Sequence, residues 1–334
     1  MKRFVLIYSM LFSMLPQWGG CVSPYPIARV TLRVVNQDGD PISDSKINAG
    51  FWMGRETSAY PNQDGIVSFE SPVIGDAVFI NERPYRSDNE PSTINKYYTT
   101  LLRRDYVSPS KNALDGKWQP WNPVIEMVLK ERLNPIPMYA THATYRIILP
   151  RQNEWFGFDL MTCDLLPPYG NGKQMDIMLR HQWTMKEGQK TESVLQLRFP
   201  DTYAGAYWFK CQNNNTRVDT LRSPYYANER EVYTQELELP TIGPHGYRPL
   251  TAPDIWGNKG IVFRTRTRVD DGGNLLSALY GKLYAPEGVN VYRDSKGQSI
   301  AQLHYYLNPT ENDTNLEFDS EHNLLKEVYR YVEP

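Results

Sequence analysis

Between Met138 and Leu307, apolar residues recur at every second position in short runs that Gly, Pro, Asn and Asp interrupt. That alternation sets one face of a β-strand against a core and the other in solvent. It predicts strands over Ala143–Leu149, Phe156–Leu166, Gln174–Trp183, Val194–Phe199, Ala204–Cys211, Val232–Leu239, Gly260–Val269, Leu275–Tyr284 and Ile300–Leu307. Strands of this length with turn signals between them make a β-sandwich, or a jelly-roll-like version of one, over 138–334. At the end of the chain Leu324, Leu325, Val328 and Tyr331 recur at helical spacing, so Glu321–Val332 reads as one short helix or a final strand.

The same alternation opens the first half. Val30, Leu32 and Val34 alternate with Arg29, Thr31 and Arg33, and the run ends at the turn Gln37-Asp38-Gly39-Asp40-Pro41. Ile47–Met53 is a second strand. Pro61-Asn62-Gln63-Asp64-Gly65 turns into Ile66–Phe69, Ala77–Ile80 follows, and Pro123–Lys130 places Ile125, Met127 and Leu129 on one face. Residues 82–122 are longer and more polar, an insertion that carries Trp118 and Trp121 in a Pro-containing loop. Leu133-Asn134-Pro135-Ile136-Pro137 reads as a linker, because two prolines in three residues exclude helix and block pairing at their nitrogens. The expected fold class is all-β: two β-sandwich domains, 28–132 and 138–334, with at most a short C-terminal helix.

Val30–Val34, Asp38-Gly39-Asp40-Pro41-Ile42, Lys46-Ile47, Asn62–Gly65, Val67, Phe69 and the Pro123–Lys130 closer together resemble the carboxypeptidase regulatory-like domain, a small transthyretin-type β-sandwich. The resemblance implies a spacer or binding module with no catalytic residues. Trp256-Gly257-Asn258-Lys259-Gly260 and Tyr306-Leu307-Asn308-Pro309 resemble phrases of uncharacterised bacterial lipoproteins, and imply no activity.

At the start, Lys2-Arg3 precedes the apolar run Phe4–Leu15. Its length, about 12 residues, is that of a signal-peptide core and short of the roughly 20 that span a bilayer. Gly19-Gly20-Cys21 resembles the lipobox of bacterial lipoproteins, with Trp18 where that family carries an aliphatic residue. The resemblance implies removal of 1–20, a lipidated Cys21 tied to the membrane, a tether over 21–27, and a place in the cell envelope, periplasmic or surface-facing. An ordinary secretory signal cut near Gly20 is the other reading.

Composition narrows the partners. Lys and Arg number 36 against 38 Asp and Glu, a net charge of −2, so no bulk field draws the chain to nucleic acid. Of three cysteines, a lipidated Cys21 leaves Cys163 and Cys211, which in an oxidising compartment are candidates for one disulfide or for two separate buried thiols.

No motif supplies chemistry outright. Pro168-Tyr169-Gly170-Asn171-Gly172-Lys173 lacks the spacing of a phosphate loop and reads as a turn. Asp270-Asp271-Gly272-Gly273-Asn274 offers oxygen ligands for calcium but sits between two strands as a hairpin does. His142, His181, His245, His304 and His322 show no paired zinc spacing, and no Gly-x-Ser-x-Gly occurs. Two binding features remain. Arg264, Arg266 and Arg268 alternate on one strand as a stripe for carboxylates or sulfates. Trp118, Trp121, Tyr207-Trp208, Tyr225-Tyr226 and Tyr305-Tyr306 could stack on sugars, though such pairs more often fill cores. The expectation is a noncatalytic, lipid-anchored envelope protein without metal or cofactor that binds glycan or an envelope protein. The alternative is a carbohydrate-active hydrolase with its paired carboxylates hidden in the second domain.

Overall fold

A computed structural model describes residues 25–51, 56–73, 77–81, 96–98, 101–105, 116–141, 145–184, 192–210, 221, 223–242, 259–284 and 289–325. Among them the regular elements are strands, with no α-helix. Residues 1–24 with Cys21, Cys211, His142, His245 and the segment from 326 onward lie outside the described residues.

Two strand systems enclose two cores. In the first, β1 (Ile27–Val35) lies between β4 (Ile66–Pro72), antiparallel, and β7 (Val124–Val128), parallel. Facing it is a four-stranded sheet of β2 (Ile47–Phe51), β3 (Glu56–Ala59), β5 (Ala77–Asn81) and β6 (Leu101–Asp105), ordered β3-β2-β5-β6. The period-two pattern of β1 explains the sandwich: Val30, Leu32 and Val34 are fully buried with Ile47, Ala49, Phe69, Ile80 and Met127. On its outer face Arg29 and Arg33 pair with Glu70 and Glu126. Gly65 sits in the left-handed region at φ 74°, where an added Cβ would lie 2.4 Å from the Val34 carbonyl oxygen, so that turn accepts only glycine without rearrangement. Trp118 belongs to this core. It is 2% exposed and its Nε1 donates to the Val73 carbonyl at 3.3 Å, so it is no surface platform.

The second system holds β8 (Tyr139–Ala140), β9 (Ile147–Leu149), β10 (Phe156–Asp159), β11 (Asp164–Leu165), β12 (Ile177–Thr184), β13 (Glu192–Arg198), β14 (Gly205–Lys210), β15 (Glu236–Ile242), β16 (Lys259–Val269), β17 (Leu275–Tyr284), β18 (Val289–Arg293), β19 (Ser299–Leu303) and β20 (Tyr305–Leu307). They form two five-stranded sheets, β11-β10-β12-β13-β15 and β14-β16-β17-β20-β8, and a three-stranded sheet β18-β19-β9. Phe158, Leu179, Leu195, Leu197, Phe263, Leu283 and Tyr305 meet in the core between them. The run expected as one strand over Phe156–Leu166 is a hairpin, β10 and β11, broken where Cys163 takes φ 55°. β18 was hidden in a short run whose Val289 and Val291 are buried. β17 is buried on both faces, which is why Lys282, between the rings of Tyr284 and Tyr306, is 0% exposed.

The expected linker is not a free tether. Leu133 and Asn134 donate their backbone N–H groups to the Glu317 carboxylate at 3.0 and 2.6 Å, and the Tyr98 hydroxyl donates to it at 3.0 Å. Ile136 exchanges backbone bonds with Glu317 and Asp319, and Asn315 Nδ2 donates to the Asn134 carbonyl. Pro135 and Pro137 have no N–H to leave unpaired, so the segment lies along 315–319 without an orphaned donor at either proline. Glu317 is itself 0% exposed. Lys130 Nζ donates to the Ser223 carbonyl at 2.8 Å, adding a second polar clasp across the two systems.

Candidate functional site

The expected arginine stripe does not exist as a stripe. β16 pairs with β17 in register from Gly260 to Thr265, then shifts between Thr265 and Arg268, and Arg266 sits in the left-handed region at φ 49°. A bulge of this kind re-aims a side chain. Arg264 is itself buried, 9% exposed, its guanidinium carbon 3.9 Å from the Tyr233 ring centroid and its Nε donating to the Tyr203 carbonyl. Arg268 donates to Ser277 Oγ and Glu311 at the surface. Arg266 turns the other way, beside Thr265, whose hydroxyl donates to the Asp176 carbonyl.

There Arg266 closes a buried cluster. Its Nε donates to Asp176 Oδ1 at 2.6 Å, and its Nη2 donates to Asp159 Oδ1 and Asp176 Oδ2, both at 2.9 Å. Charge-assisted bonds of this number offset the roughly 1–3 kcal/mol that a left-handed non-glycine residue costs. Burial pushes the Asp159 carboxyl up, but N–H groups of Lys173, Thr162, Gln174 and Met161 outweigh it and hold the group below the ordinary range. Burial is also the larger influence on Asp176 and leaves its carboxyl raised despite Arg266. An acid and a base with separated pKa values suggest the hydrolase pair, yet Asp159 is 1% and Asp176 0% exposed, and the same Nη2 occupies both. Substrate cannot reach them.

The loop that resembles a phosphate cradle belongs to the same construction. Asn171 N–H donates to Asp164, and Lys173 and Gln174 N–H donate to Asp159. Those three donors are committed to carboxylates of the chain, and the Tyr169 and Gly172 N–H groups donate to the Leu166 and Leu165 carbonyls. The Asp270–Asn274 segment is the β16–β17 hairpin turn, with Asp270 accepting from Asn274 backbone and side chain. Among the described residues no three His, Cys, Asp or Glu converge as metal ligands.

Cys163 is a free, buried thiol among the described residues, and Cys211, its candidate partner, lies outside them. Burial pushes the thiol up to about 11, so it packs as a small apolar group. Of the other aromatics, Tyr305 and Tyr306 are buried, Tyr207 packs edge-on to Tyr233, and Trp121 lies under Lys117. Tyr226 is half exposed beside Tyr225, whose hydroxyl donates to the Glu131 carbonyl. They form no common platform.

The partly exposed surface that the structure does assemble is the outer face of β10-β12-β13-β15, where Trp155, Arg180 and Arg198 are half-buried and Gln196 is 7% exposed. Pairing places Arg180 opposite Gln196 and Gln196 opposite Glu238, with Arg198 opposite Glu236 in the next row. Trp155, immediately before β10, closes the end of the first row. Arg180 Nε donates to Gln196 Oε1 at 2.5 Å, Gln196 Nε2 donates to Glu238 at 2.7 Å, and Arg198 Nε donates to Glu236 at 2.7 Å. The guanidinium carbons of Arg180 and Arg198 lie 4.4 and 4.3 Å from the Trp155 ring centroid. The rows alternate donor and acceptor beside a flat ring, and their order is held by hydrogen bonds already made. In sequence the signal was the shared period-two phase of Arg180 with Gln182 and of Gln196 with Arg198, which becomes a ladder only once register is known.

Two shallow depressions lie elsewhere on the described surface. One, of about 330 Å³, lies in the first system between Asn36, Pro41–Asp44, Lys96, Tyr97 and Glu131. Its carboxylates are bridged by Lys96, 3.0 Å from Asp44 and 3.9 Å from Glu131. Burial pushes Asp44 up, and the bonds from Lys96 and Tyr97 outweigh it, so the group sits below the ordinary range and makes no proton donor. The other, of about 290 Å³, lies between β9 and the β18–β19 turn.

The chain matches no protein-family model and no curated protein. Its structural neighbours are DUF3823 family proteins. One, from Parabacteroides merdae, is 10% identical over 84% of this chain and 98% of that one, at a TM-score of 0.19. Another, from Bacteroides ovatus, is 10% identical over the same shares at 0.15. Likeness at these values assigns neither fold nor site to this chain.

Proposed function

We propose that this chain is a noncatalytic protein of the bacterial cell envelope, anchored through a lipidated Cys21, whose second domain binds glycan on the outer face of β10-β12-β13-β15. The observation that carries the reading is the Trp155 ring set beside the ordered Arg180–Gln196–Glu238 and Arg198–Glu236 rows. A flat ring takes the apolar face of a sugar, and fixed donors and acceptors take its hydroxyls without first losing side-chain freedom. The first domain, regulatory-like in its resemblance, serves as the spacer between anchor and binding face. The hydrolase alternative loses support because the carboxylates gathered in the second domain are sealed under Arg266.

The mature chain on an array of neutral and acidic glycans tests this directly. Binding that Trp155→Ala abolishes at unchanged Tm supports it. Release of new reducing ends by the wild-type chain would return the hydrolase. Palmitate labelling tests the anchor separately, and undiminished labelling of Cys21→Ser removes it.

A further inference from the structure

The depression between β9 and the β18–β19 turn is lined by Ile148, Pro150, Arg151, Gln152, Arg293, Lys296, Gln298 and their neighbours, without a carboxylate among its lining residues. Arg151 has Glu154 at 3.4 Å. Arg293 and Lys296 pair with no carboxylate among the described residues. The Arg293 guanidinium is instead held in place: Nε and Nη2 both donate to the Gly297 carbonyl, and the group lies 4.9 Å from the Trp183 ring centroid. Lys296 is fixed at its backbone, where Asp294 Oδ1 accepts its N–H, and its ammonium is exposed. An arginine ordered by its own hairpin and without a counter-ion among the described residues is prepared for an anion. Nearby His181 reports the same field, since after burial the Arg293 charge is what depresses its pKa.

We propose that this depression binds the carboxylate of one acidic sugar residue, with Arg293 and Lys296 on the anion and Gln152 and Gln298 on the ring hydroxyls. A volume of about 290 Å³ is at the low end of small-molecule sites, which run from about 300 to 1,000 Å³, and so admits a single ring. Exposed Ile148, with Pro150, gives that ring an apolar wall. The choice of a sugar as the body of the ligand rests on the glycan-binding reading, and the charge requirement does not.

Titration of the full mature chain with glucuronate, glucose and inorganic sulfate, followed by calorimetry and by amide shifts at Gly297 and Gln298, tests the site. Glucuronate is expected to bind and glucose not to bind. Arg293→Met and Lys296→Met should each weaken glucuronate about tenfold or more, the loss of one charge-assisted contact. Lys296→Met, at an exposed turn position, keeps the test intact if Arg293→Met disturbs the hairpin. Binding that neither substitution weakens, or no glucuronate binding at all, overturns the proposal. Sulfate binding as tightly as glucuronate overturns the sugar clause, since charge alone would then be read. Glucuronate-induced amide shifts at Gly297 and Gln298 report this depression, and shifts at Trp155 and Gln196 report the sheet face, so failure of one and failure of the other are separately visible.

Discussion

Arg266 and Arg180 stand in the same domain, on strands, each beside groups that accept its hydrogen bonds, and they differ in access to water. Arg266 joins two carboxylates that are almost wholly buried. Arg180, half-buried, lies on an outer sheet face among Trp155, Gln196 and exposed Glu238. A guanidinium that neutralises buried charge is committed to the fold, because nothing else can replace it there. One lying over an aromatic ring at the surface is ordered at little cost and keeps donors for a ligand. Three arginines in alternating phase on β16 therefore say less about binding than one arginine beside a tryptophan on β12.

Removing Arg266 should produce the largest effect. Arg266→Met strands Asp159 and Asp176 and is expected to lower stability by about 3–5 kcal/mol in urea unfolding. A loss under about 1 kcal/mol would erase the distinction between the two arginines. Next comes pH. His181, fully buried between Ser193 and Ser299, is held down to about 4 by burial and then by Arg293. Its unfolded counterpart titrates near 6.5, so between these values the unfolded chain binds the extra proton. The contribution is complete above pH 6.5 and drains as pH falls toward 4, by up to about 3 kcal/mol. His181→Gln should flatten that part of the curve, and an unchanged slope would mean that His181 is accessible to protons in the fold. Trp155→Ala separates the two settings from the other side: stability should move by less than about 1 kcal/mol while glycan binding falls tenfold or more. Smallest is Arg268→Ala. Its ion pair with Glu311 is two-thirds exposed on the arginine side, and the change should stay within about 0.5 kcal/mol.

Strand positions were legible because period-two patterning and Asp-Gly turns are local, and β1, β7, β13, β16 and β17 fall where the pattern put them. Register and bulges were not. The turn at Arg266 is decided by Asp176, 90 positions away, and no window around residue 266 contains it. Trp118 looked like a loop aromatic because its partners, Val73 and Ile27, are distant in sequence. The split of β10 from β11 depends on a left-handed Cys163, a conformation that its residue type does not announce. Trp155 was passed over for the same reason: its significance lies in residues opposite it on β12 and β13.

Glu317 carries a consequence for how the chain is made. The carboxylate that receives the N–H groups of Leu133 and Asn134 belongs to a residue more than 180 positions later, and β8 pairs with β20, which lies 166 to 168 positions on. The strands of the first system pair with one another within residues 27–128, whereas the second cannot close its β8 edge until β20 is present. Contacts of such separation slow folding and prolong exposure of unpaired edges.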